Sequence, residues 1–112
     1  MPFIYRCIHL SFIKLQTMIE VKRMKNGILV KGHAGYAPSG QDIVCSAVST
    51  LVQTLIQSIE QLTTDNISYN MKSGIVIIKF ERLSISSKIL VDAFFIGVNG
   101  VAKAYPAYVK IT

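Results

Sequence analysis

The sequence predicts an α+β fold, a two-layer α/β sandwich in the order β-β-α-β-β-α-β, with two helices on one face of a mainly antiparallel sheet. Three observations predict it. Two pairs of alternating segments meet at Asn26-Gly27 and at Ser73-Gly74. Two long stretches, opening near Asp42 and Ser84, repeat apolar residues at spacings of three and four. A last short segment, Ala107 to Ile111, follows a Tyr105-Pro106 break.

The elements follow in order. Met1 to Thr17 is read as an N-terminal extension, disordered or upstream of the true start, and 18–112 as the folded domain. Arg6, His9 and Lys14 interrupt its apolar residues, so it has no signal-peptide core. Cys7 and His9 are two metal-ligand types without partners at metal spacing, which is weak support for a site. From Met18 to Met24 the residues alternate between two faces, and Ile28-Leu29-Val30-Lys31 returns after Asn26-Gly27. That dipeptide predicts a type I′ hairpin turn with positive φ at both positions. Gly32 to Gly40 holds three Gly and a Pro in nine residues and reads as a loop.

Asp42 is placed to cap a helix of about five turns. Val44, Val48, Leu51, Leu55, Ile59 and Leu62 form its apolar stripe. Its other face, from Ser46 and Ser49 to Gln57, is polar but uncharged and reads as half-covered. Ile67, Tyr69 and Met71 alternate with Ser68, Asn70 and Lys72, and Ile75 to Phe80 returns as a strand apolar on both faces, hence central. The second helix, from Ser84 or Ser86 to Lys103, has almost no polar face. It is expected to be buried against the first helix, the sheet and a second subunit.

The chain has 112 residues, 51% of them hydrophobic and 16% charged, which fits one folded domain and excludes disorder over most of it. Mean hydropathy is +0.44, yet no run of about 18 uncharged apolar residues occurs, so no membrane span is expected. The net charge is +6, and +4 without Arg6 and Lys14. Such a balance suits RNA or a ribosome as surroundings, and equally ordinary solubility. Two cysteines imply no disulfide framework, which fits a reducing compartment.

One stretch carries chemistry. Gly32-His33-Ala34 closes a strand and Asp42-Ile43-Val44-Cys45 opens a helix, so the domain's only His and only Cys flank one loop. A thiol in the first turn of a helix, beside an imidazole, is activated as a nucleophile. Equally, a lone Cys often fills a small core space, and position alone leaves both readings open. In the first reading His33 is the general base and acid. The amides of Cys45 and Ser46 would then face an oxyanion. Asp42 is read first as a cap and second as an orienter of the imidazole, and Ser49 lies one turn below Cys45. The loop residues Ala34, Gly35, Tyr36, Ala37, Pro38, Ser39, Gly40 and Gln41 suggest a mobile lid that orders around an extended peptide. The loop adds no Cys, His or Glu, so no metal and no cofactor is expected.

Gly32-His33-Ala34-Gly35-Tyr36-Ala37 and Gly40-Gln41-Asp42-Ile43-Val44-Cys45-Ser46-Ala47-Val48-Ser49 resemble the signature of the bacterial ribosomal-processing cysteine proteases, the Prp family. Gly97 and Tyr105 to Val109 are similar to that family's C-terminal helix and strand, and the resemblance spans Met18 to Thr112. It implies a homodimeric, cytoplasmic cysteine endopeptidase. The implied substrate is the N-terminal extension of ribosomal large-subunit protein twenty-seven. His33 and Cys45 match the implied catalytic pair, and Gly32, Asp42 and Ser49 its recurrent neighbours. No membrane and no direct nucleic acid is required by that reading. The alternative is a non-catalytic, basic, dimeric module that binds RNA or the ribosome. Against it, the strands offer no evident aromatic pair for base stacking.

Overall fold

A computed structural model describes residues 18–37 and 41–112. The extension, its Cys7–His9 pair and the loop positions Pro38, Ser39 and Gly40 lie outside the described residues.

Among the described residues, seven elements follow the expected order. They are β1 (Ile19–Met24), β2 (Gly27–Lys31), α1 (Ile43–Leu62), β3 (Ile67–Lys72), β4 (Ile75–Phe80), α2 (Ile85–Ala104) and β5 (Val109–Ile111). The strands form one sheet in the order β3-β4-β2-β1-β5. All neighbours are antiparallel except β1 and β5, which run parallel. A parallel partner needs a long crossover, and α2 lies within the one that leads from β4 to β5.

The two-residue period of the strands sorts the sheet into two unlike faces. Val21 opposite Val30, Val30 opposite Val76 and Ile28 opposite Ile78 line one face. All five are buried, and they meet Val44, Val48, Val52 and Ile59 of α1 and Val98 of α2 in one core. By length and composition alone both helices are apolar enough to cross a membrane. In this fold α1 spends that apolarity on the core. Within the single chain α2 buries Val91, Phe94 and Val98 and leaves Ile85, Ile89 and Ile96 exposed.

Both helix starts are fixed by side chains. Asp42 Oδ1 accepts from the Cys45 amide at 2.9 Å. Ser84 caps α2 and is itself held by Asp65, whose Oδ2 accepts from the Ser84 amide at 2.9 Å and the Ser84 hydroxyl at 2.6 Å. The Ser87 hydroxyl donates to the same oxygen. Asp65 precedes β3, so its carboxylate ties the exit of α1 to the entry of α2.

The first hairpin forms, but not with the expected turn. Met24 pairs with Gly27, so Lys25 and Asn26 are the turn residues and Gly27 already belongs to β2. Neither Asn26 nor Gly27 has positive φ, so the turn is not type I′. Gly27 is needed for another reason. A Cβ there would lie 2.4 Å from the Ile78 carbonyl oxygen of β4, so the glycine permits a close backbone approach between β2 and β4. Gly27→Ala is therefore expected to destabilise the fold by about 1–3 kcal/mol, as overpacking does. Urea unfolding should show a lower midpoint at unchanged slope.

Candidate active site

The strands bring the predicted residues to one end of the sheet. The β2 strand stops at Lys31, and the Gly32 amide donates to the Gly74 carbonyl at 2.8 Å. This bond seats the end of β2 against the β3–β4 turn. His33 follows at once, and its imidazole packs on Gly74. A Cβ at Gly74 would lie 2.7 Å from His33 Nε2, and Gly74 also has φ +73°. Glycine is therefore required twice at this position, once by the turn and once by the imidazole. The sequence signalled Gly74 as a turn residue only; nothing in its neighbourhood pointed to His33, which lies beyond another hairpin.

Ala34 is fully buried and anchors the chain just after His33. Gly35 and Tyr36 return to the surface. Tyr36 is then held from two sides. Its amide donates to Asp42 Oδ2 at 3.2 Å. Its ring meets Tyr105 and Tyr108 edge-on, with centroids 5.3 Å and 5.1 Å apart. Tyr105 ends α2 and Tyr108 leads into β5, so the C-terminal segment holds down the start of the loop. The expectation of a freely mobile lid does not apply at Tyr36. Ala37 is half-buried and Gln41 is exposed at the other end of the loop.

Cys45 is 2% exposed in the first turn of α1. The two amides read as candidates for an oxyanion are both engaged. The Cys45 amide donates to Asp42 Oδ1 at 2.9 Å, and the Ser46 amide donates to the Asp42 carbonyl at 3.1 Å. Helix capping and the first helical bond consume them, which is what a well-formed N-terminus does. Ser49 is fully buried one turn below Cys45.

His33 lies in the electrostatic range of Asp42. Burial lowers its pKa below the ordinary 6.5, and the Asp42 carboxylate opposes that shift in part. The imidazole is therefore neutral near pH 7 and able to accept a proton. Its Nδ1 is buried with no hydrogen-bond partner among the described residues. Such an orphan costs about 1–3 kcal/mol and is rare in folded proteins.

An open groove of about 500 Å³ runs beside this turn, lined by Ile43, Ser46, Ala47 and Thr50 of α1 and by Gly97 and Val101 of α2. A larger cleft, about 1030 Å³, lies at the opposite end of the strands, around Asn26, Asp65 and Phe80. It holds neither His nor Cys among its lining residues, so size does not locate the chemistry here. Among the described residues no group of three His, Cys, Asp or Glu is arranged to hold a metal ion.

A family model described as cysteine protease Prp matches residues 12–110. The chain belongs to the Prp family. It is 24% identical over 96 residues to the ribosomal processing cysteine protease Prp of Mycoplasma genitalium, covering 84% of this chain and 94% of that one. A crystal structure from Streptococcus mutans superposes with TM-score 0.73 at 30% identity, covering 86% of this chain and 93% of that one. The essential ribosomal processing protease Prp of S. aureus, solved with a covalently linked product peptide, superposes with TM-score 0.77 at 16% identity, covering 85% and 96%. The two-layer sandwich found here is thus the Prp fold, and the chain is a member of a cysteine peptidase family.

Two outcomes test this geometry. Asp42→Asn keeps a capping oxygen but removes the charge, so the fold should hold while the His33 pKa falls further below 6.5, read by NMR titration of the imidazole. The second outcome is a stability profile. His33 has a folded pKa below its unfolded value, so the unfolded chain binds the proton first as pH falls. Stability should decline as pH drops through 6.5, and His33→Gln should flatten that part of the curve. The separate loss caused by Asp65 sets in as pH falls through about 3.8, where the unfolded carboxyl takes up its proton while hydrogen bonds from Ser84 and Ser87 keep the folded one ionised.

Proposed function

We propose that this chain is a cysteine endopeptidase that removes the N-terminal extension of ribosomal large-subunit protein twenty-seven during ribosome assembly. Cys45 is the nucleophile and His33 the general base and acid. The observation that carries the reading is the neutral, half-buried imidazole of His33, with an orphan ring nitrogen, sharing one carboxylate neighbour with the backbone of Cys45. The ribosomal substrate rests on the sequence resemblance and on the Mycoplasma genitalium relative, a ribosomal processing protease.

The steps follow from the residues. Reduced Cys45 yields its thiol proton to the imidazole, and the thiolate attacks the scissile carbonyl. The tetrahedral adduct collapses to a thioester, while the imidazolium gives its proton to the departing amine. His33 then takes a proton from water, whose attack on the thioester releases the new C-terminus and restores the thiol. Asp42 favours the imidazolium that forms midway, since its charge raises the His33 pKa. The low resting pKa and the nearby carboxylate thus serve opposite halves of the cycle. A donor for the oxyanion must come from groups other than the Cys45 and Ser46 amides, which the helix start already uses.

The working unit is a cytoplasmic homodimer. What supports the dimer is a stripe on α2. Ile85, Ile89 and Ile96 are 77%, 62% and 75% exposed, and at about 100° per residue they fall within one sector of roughly 40° on the helix. An exposed stripe of three isoleucines is what a second copy would cover.

The test is incubation of the reduced protein with the precursor ribosomal protein, with the products read by mass spectrometry. One cut in the N-terminal extension is expected, absent in Cys45→Ala. Normal cleavage by Cys45→Ala would overturn the nucleophile assignment. No cleavage by the reduced, folded protein would remove the substrate.

A further inference from the structure

Among the described residues, the helices cover one face of the sheet and leave the other open, and the two faces divide the charge unequally. Alternation puts Glu20 and Lys22 of β1, Lys31 of β2, Lys72 of β3, Lys79 of β4 and Lys110 of β5 on the open face. That is five lysines against one carboxylate, a net of +4. The remaining five basic and five acidic side chains of the described residues cancel. The whole net charge of the described residues therefore stands on one sheet surface.

The register arranges these charges. Lys72, Ile75, Lys31, Glu20 and Lys110 are successive partners across all five strands and form one row. With strands about 4.8 Å apart, the lysines in that row stand roughly 10 Å from one another. Lys22 and Lys79 extend the field along the strands. Lys31 is the one lysine of the five with a carboxylate in ion-pair range among the described residues, Glu20 at 3.4 Å. Folding offers no internal reason to gather like charges, which repel.

We infer that this face docks RNA through its phosphate backbone, apart from the chemistry at Cys45. The inference rests on the ribosomal-processing reading for its choice of RNA over an acidic protein, since a protease acting on a ribosomal protein works beside RNA. A polyanion fits where a second copy does not, because self-pairing would set +4 against +4. Ammonium groups bind phosphates as point charges without demanding a fixed geometry. Among the described residues the face carries neither Arg nor an aromatic ring: Tyr69 pairs with Ile78 on the helix side, and Arg23 is bonded to Asp92 at 2.7 Å. Binding is therefore to the backbone and indifferent to base sequence.

The test uses the full chain with a fluorescein-labelled, mixed-sequence single-stranded RNA of about twenty nucleotides, followed by anisotropy across a salt series. Cys45→Ala is run in parallel, so that binding is scored whether or not the protease reading survives. Removing Lys22, Lys79 and Lys110 together (each →Gln) should weaken binding at least about tenfold at low salt. It should also lower the slope of log affinity against log salt by about 2, near 0.7 for each phosphate no longer neutralised. Lys25, Lys88 and Lys103, each →Gln, remove the same charge elsewhere and should leave binding within about twofold. A polyuridine of equal length should bind like the mixed sequence. Equal losses in the two triple variants would overturn the inference, because the attraction would then be diffuse. A polyglutamate of equal length binding as tightly as RNA would overturn it in favour of an acidic protein. Thermal melts of both variants ensure that any loss is not unfolding.

Discussion

The carboxylate of Asp42 is the point on which the site depends. One oxygen accepts from the Cys45 amide and fixes where α1 begins. The other accepts from the Tyr36 amide and draws in the start of the loop. Its charge acts on His33 from the helix side. A helix start, a loop and an imidazole thus converge on one group, and the helix cap is the reason the group is there at all. Two hydrogen bonds to its oxygens leave the carboxylate oriented, which lets its field act on the imidazole from a set direction.

The second constraint is space. His33 occupies its position because Gly74 has no side chain, and the bond from Gly32 to the Gly74 carbonyl holds the two segments together. The β3–β4 hairpin therefore forms a wall of the site without contributing a reactive group. Burial against that wall keeps the imidazole neutral, and it also leaves Nδ1 without a partner among the described residues. An unsatisfied buried nitrogen is a cost that a purely structural histidine would avoid, for instance by replacement with an apolar residue of similar shape.

The rest of the molecule separates its surfaces by chemistry. The inner sheet face and α1 consume the aliphatic residues in one core. The outer stripe of α2 keeps isoleucines in solvent, and the outer sheet face keeps lysines. These surfaces suit different partners, one apolar and one anionic, and neither includes His33 or Cys45. Under the proposed function, catalysis, assembly and docking can therefore be altered one at a time.

Periodicity, caps and turn residues are local signals, and they were enough to set out the elements and their order. The alternation around Asn26-Gly27 and Ser73-Gly74, the apolar stripe from Val44 to Leu62 and the Asp42 cap were all legible in the residues themselves. So were His33 and Cys45 as two ends of one loop, by their types and spacing. The remaining features involve atoms far apart in the chain. The first hairpin turns at Lys25-Asn26, and its Gly27 passes close to Ile78 of another hairpin. Gly74 meets His33, and Tyr36 meets Tyr105 and Tyr108, only once the strands are paired. The engagement of the Cys45 and Ser46 amides follows from the geometry of the cap, and the gathering of five lysines on one face follows from strand register. Neither local propensity nor spacing encodes those arrangements, because each depends on how segments distant in the chain pack and pair.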